Sequence, residues 1–117
     1  LLSRPPARHR STTKNSSQLA LGVPMLFSLI CHDIDDGFEL RKQTRPAHLT
    51  FLASQTVHFA GPILSDDESK PIGSIVVIDC ENLAQARDIA AADPYNLAGL
   101  FRSVSVHPFK QVIPEES

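Results

Sequence analysis

Short apolar runs alternate along this chain with stretches of helical spacing. Residues 25–31, Met-Leu-Phe-Ser-Leu-Ile-Cys, form a compact apolar run bounded by polar residues, which predicts a buried strand. Residues 32–37 follow as a loop whose Asp36-Gly37 pair is a turn signal. Residues 38–54 have helical character but contain Pro46, and an interior proline removes a hydrogen bond and clashes with the preceding turn. The expectation is a short helix over 38–43, then a second helix capped by Thr44 with Pro46 in its first turn. Residues 57–64 predict a second strand, with Gly61-Pro62 marking an edge or a bend. A polar loop at 65–71 leads to residues 72–80, dominated by β-branched side chains and the strongest strand signal in the chain. These two strands should pair as an antiparallel hairpin.

Asn82 is a natural N-cap for a helix over 83–92, where Leu83, Ala86, Ile89 and Ala90 share one face. Pro94 disfavours the helical conformation for the residue before it, so this helix should stop at about Asp93. A carboxylate there meets the negative end of the helix dipole, a mildly unfavourable place unless something else holds it. Residues 101–109 alternate apolar and polar positions and predict a fourth, half-exposed strand; residues 114–117 should be frayed. The order β-α-β-β-α-β predicts an α+β domain: an antiparallel four-stranded sheet with two helices on one face. The other face is apolar enough to need cover, and a second subunit packed sheet to sheet is the simplest cover.

The 117 residues suffice for one domain with one core, and a 42% hydrophobic and 21% charged composition is ordinary for a globular protein. No apolar run reaches the roughly 20 residues that span a bilayer. The net charge of -2 conceals an asymmetry. Residues 1–24 carry Arg4, Arg8, Arg10 and Lys14 and no acid, whereas the rest of the chain holds all 13 acids. An acidic body argues against a nucleic-acid surface. Residues 1–24 also lack periodicity, and Met25 is the sole methionine. The segment is expected to be a non-native or disordered leader, vector-derived or upstream read-through, with a transit-peptide-like presequence as the alternative. The domain is then 25–117. Cys31 and Cys80 lie in apolar runs and form no C-x-x-C pair, so they are expected to be buried free thiols of a cytoplasmic protein.

Set-wise, the residues resemble a family. Arg45-Pro46-Ala47-His48-Leu49, Ala60-Gly61-Pro62, the run from Ala91 through Asp93-Pro94-Tyr95 to Phe101, and Val106-His107-Pro108-Phe109-Lys110 look like the YciI-related (YCII) family, in the right order across 25–113. The resemblance implies a ferredoxin-like dimeric α+β barrel with a site built around one histidine and one aspartate. Carried over by position, these are His48 and Asp93. One relative is associated with dehydrochlorination in chloroaromatic breakdown.

A histidine oriented by a carboxylate has a fixed tautomer and a stabilised imidazolium, as a general base near neutral pH requires. The same two residues also have a plain structural reading, as a helix-boundary residue and a turn or cap residue. Arg45, three residues before His48, should project from the same side of the helix and could hold an anionic group. Arg41 lies one turn further back and joins that face if Pro46 leaves it there. Ser74 could enter the same cleft from the strong strand, and Tyr95 should pack near the helix end. His32-Asp33 is adjacent in sequence, but neighbours on a strand point to opposite faces. No His-x-x-x-His, G-x-G-x-x-G or P-loop pattern is present, so no metal or nucleotide cofactor is expected.

Two function classes follow. One is a cofactor-free lyase or isomerase acting on a small anionic or aromatic molecule, with His48 moving a proton, Asp93 orienting it, and Arg45, Ser74, Arg41 and Tyr95 binding substrate. The other is a dimeric metabolite-binding or accessory module without catalysis. In both the partners are a second copy and a small molecule, with no nucleic acid and no membrane.

Overall fold

The computed structural model describes residues 25–115, so the leader expected at 1–24 lies outside the described residues. Strand β1 (Leu26–Asp33) is central and pairs antiparallel with β3 (Pro71–Asp79) on one side and β4 (Phe101–Phe109) on the other. Strand β2 (Val57–Leu64) pairs with β3, giving the order β2-β3-β1-β4. The Gly61-Pro62 signal is explained by this arrangement, because β2 is an edge strand. The described residues form the expected antiparallel four-stranded α+β sheet, with three helices rather than two.

Beyond shifts of a single residue at element ends, three differences from the sequence expectation have a physical reason. β1 runs two residues beyond Cys31: His32 pairs with Gly73 and Ser103, and Asp33 pairs with Phe101 across a register shift. The polar pair continues the strand because Asp33, buried, finds an ionic partner described below.

The second difference is in α1 (Phe38–Ala53), which is one continuous helix with Pro46 inside it, not two helices meeting at Thr44. Pro46 and Lys42, whose carbonyl would have accepted the missing bond, are both on the exposed side. Water can solvate that carbonyl, so the break is tolerated. Continuity keeps Arg41, Arg45 and His48 on one stripe, at i, i+4 and i+7.

The third difference follows α2 (Leu83–Ala92), which begins at Asn82 as expected, the Asn82 side chain accepting from Gln85 N at 2.8 Å. Beyond it the chain makes an extra helical turn, α3 (Pro94–Leu97). Pro94 starts it, where a missing N–H is harmless, and Gly99 (φ 83) reverses the chain into β4.

Phe27, Leu29, Val76 and Ile78 from the two central strands pack with Cys80, Ala86 and Ala90 as the core between sheet and helices. On the opposite sheet face, by register, lie Phe59, Ile75 and Phe109, which remain 49%, 39% and 41% exposed. No described helix is long and apolar enough to cross a membrane.

Candidate active site

Asp93 ends α2 and caps α3, and this double duty fixes its carboxylate. Its Oδ1 accepts from Tyr95 N–H at 2.9 Å. His48, buried on α1, brings Nδ1 to 2.9 Å from Oδ1 and 3.0 Å from Oδ2 of the same carboxylate. Against an ionised acceptor-only carboxylate the bridging proton sits on Nδ1, so Nε2 keeps its lone pair. Nε2 has no hydrogen-bond partner among the described residues, and the ring lines a cavity of about 240 Å³.

Tyr95 is 1% exposed and stacks on the His48 ring, with centroids 3.9 Å apart and planes at 18°. Phe101 meets Tyr95 edge-on at 5.8 Å. The Arg41 guanidinium also sits over the tyrosine ring, its Cζ 4.4 Å from the centroid. Burial raises the Tyr95 phenol above its ordinary value, against the pull of Arg41 and Arg45. The phenol therefore stays protonated near neutral pH, and its geometry makes it a wall that holds the imidazole plane.

Arg41 is itself buried and held by Asp33, which sequence reasoning missed as a site residue. Arg41 Nε donates to Asp33 Oδ2 at 2.8 Å, and Nη2 donates to Oδ1 at 3.0 Å. Nη2 also donates to Ser74 Oγ at 2.9 Å. Burial opposes the charge on Arg41, but the Asp33 carboxylate outweighs it and raises the guanidinium pKa. The only sequence clue was the acid at the end of β1; the pairing across the turn into α1 depends on the helix starting where it does.

Arg45, itself exposed, lines the cavity from the same stripe of α1 as Arg41 and His48 and has no ion-pair partner among the described residues. The remaining walls are mostly apolar, from Phe38, Leu49, Leu52, Ala60, Pro62 and Val76. His48, Asp93, Tyr95, Arg41 and Ser74 thus form one connected cluster, and Arg45 stands at its mouth. His58 lies elsewhere, with Nε2 2.7 Å from Gln111 Oε1. Cys31 and Cys80 are buried free thiols. Burial, reinforced by Asp93 and opposed by Arg41, pushes the Cys31 thiol up to about 12, so it is no nucleophile. Among the described residues no group of three or more His, Cys, Asp or Glu could hold a metal ion.

A protein called YciI from Escherichia coli O6:H1 is 39% identical over 99 residues, covering 75% of this chain and 99% of its own length. An uncharacterized protein from Haemophilus influenzae is 37% identical over 97 residues, covering 75% and 99%. Among solved structures, a 5-chloro-2-hydroxyhydroquinone dehydrochlorinase from Burkholderia phenoliruptrix AC1100, in complex with 2,5-dihydroxybenzoquinone, shares the fold. Its TM-score is 0.70 at 24% identity, covering 79% of this chain and all of that one. The YCII-related domain matches residues 25–110, and the chain belongs to that family.

Proposed function

We propose that this protein is a cofactor-free enzyme of lyase or isomerase type that moves a proton on a small anionic or aromatic molecule. The observation that carries this reading is the His48–Asp93 pair, with Nε2 unpartnered at a cavity wall. Nε2 takes a proton from an O–H or C–H of the bound molecule. The electron pair left behind expels a leaving group such as halide, or is reprotonated elsewhere on the molecule. The imidazolium so formed is stabilised by the Asp93 carboxylate, and the tyrosine stack keeps the ring in plane. Arg45 supplies the cation for an anionic group, and the apolar walls take a flat ring.

The dehydrochlorinase of similar fold supports this class, since loss of HCl removes a proton together with a halide. A second copy of the chain covering the Phe59, Ile75 and Phe109 face, and a cytoplasmic setting, complete the proposal. The test is a panel of lactones and halogenated phenols offered to the wild type and to His48→Ala. Turnover that disappears in His48→Ala supports the reading, and turnover that persists refutes the base. Ligand uptake with no turnover anywhere on the panel favours a binding module instead. Size-exclusion with light scattering checks the dimer, and a monomer refutes it.

A further inference from the structure

Ser74 is 3% exposed, on the stretch of β3 that forms a cavity wall. Its Oγ accepts from Arg41 Nη2 at 2.9 Å. That bond uses an oxygen lone pair, so the hydroxyl proton must point elsewhere. It finds no acceptor among the described residues. A buried hydroxyl satisfied as acceptor but orphaned as donor is costly unless something in the cavity accepts from it. Arg41 cannot readily swing aside, because the Asp33 carboxylate grips it through two bonds of 2.8 and 3.0 Å. Donation from a cation also polarises the serine hydroxyl and strengthens it as a donor.

We infer that Ser74 is a specificity-determining donor, selecting ligands that present an oxygen acceptor (a carbonyl, carboxylate or phenolate oxygen) to the β3 wall, and that Asp33 is the residue that positions it, through Arg41. With Arg45 at the mouth as a cation that has no ion-pair partner among the described residues, the ligand class is a flat molecule bearing an anionic group at one end and an acceptor oxygen at the other. The inference rests on the cavity being a ligand site, as proposed above, and not on proton transfer by His48.

Two probes isolate the acceptor. 4-Acetylbenzoate and 4-isopropenylbenzoate share a carboxylate and a flat substituted ring, and differ by C=O against C=CH2. Titrated into the full chain and followed by NMR shifts, the ketone is expected to bind about tenfold more tightly than the alkene. In Ser74→Ala, which changes no charge, the ratio falls to near one while the alkene's affinity stays the same. In the double variant Asp33→Asn/Arg41→Met neither charge is left unpaired, and an untethered hydroxyl should give an intermediate ratio. A preference that survives Ser74→Ala, equal binding of the two probes by the wild type, or binding of neither overturns the assignment. A full preference in the folded double variant overturns the role of Asp33, and Ser74→Ala alone decides the donor. Binding is read without turnover. A wild type that prefers the ketone yet turns over nothing would remove the proton-transfer reading and leave this one standing.

Discussion

Replacing Asp93 by Asn should separate the chemistry of the dyad from the stability of the fold. The carboxylate does two jobs: Oδ1 caps α3 through Tyr95 N–H at 2.9 Å, and the same group accepts from His48 Nδ1 at 2.9 and 3.0 Å. Asparagine caps helices about as well as aspartate, so its Oδ1 can keep the bond to Tyr95. The other position then becomes an NH2, a donor facing Nδ1. Nδ1 must accept, and the imidazole proton moves to Nε2, the atom that borders the cavity. Stability should change by less than about 1 kcal/mol, since the cap and the volume persist. Catalysis should fall by roughly three to four orders of magnitude, the size seen where a histidine base is held in the wrong tautomer. Nitrogen-15 NMR of the neutral imidazole reads the switch directly, with no substrate needed. The wild type should show the proton on Nδ1 and Asp93→Asn should show it on Nε2. A wild type protonated at Nε2, or a variant that keeps the proton on Nδ1, would refute the assignment of Nε2 as the base.

Asp33→Ala strands a buried guanidinium and should cost about 3–5 kcal/mol in urea unfolding, a large share of a typical 5–15. Adding Arg41→Met should recover most of that, and a double variant no better than the single would deny the coupling. Pro46→Ala restores a hydrogen bond to the Lys42 carbonyl within a helix that is already continuous; a stabilisation of about 1–3 kcal/mol is expected by thermal unfolding, and no gain would mean the turn is not strained. Cys31 ionises near its ordinary 9.0 when unfolded but near 12 when folded. Its contribution is therefore complete below pH 9 and is lost as pH rises toward 12, at up to about 1.4 kcal/mol per pH unit. Cys31→Ala should show a shallower alkaline loss of stability, and an unchanged slope would contradict the burial argument. Native Cys31 should likewise resist iodoacetamide at pH 8, with rapid labelling as the contrary result.

The strands were legible because they obey one rule at a time. Residues 72–80 are dominated by β-branched side chains, and β4 alternates, so each declares its strand character without knowledge of its neighbours. The helix that carries His48 is different. The buried residues of α1 are Arg41 and His48, polar side chains that leave no apolar stripe, and Pro46 interrupts the local signal. Its continuity comes from tertiary partners: Asp33 grips Arg41, Asp93 grips His48, and Tyr95 fills the space against both.

The same logic explains which half of the site could be seen. Asp93-Pro94 announces itself, because proline dictates a stop and a carboxylate at a helix C-terminus asks for a partner. Asp33 gives no such sign, since an acid after an apolar run looks like the start of a loop. Only the antiparallel register, with Cys31 opposite Ser74, sets the end of β1 beside the middle of β3 and beneath the first turns of α1. There the acid is buried, the arginine neutralises it, and the serine oxygen accepts from that arginine. A polar cluster of this kind contributes nothing to the periodicity from which folds are read. It is affordable only because the apolar core formed by β1, β3 and α2 stabilises the fold without it, and this separation is what allows α1 to bury Arg41 and His48 in place of an apolar stripe.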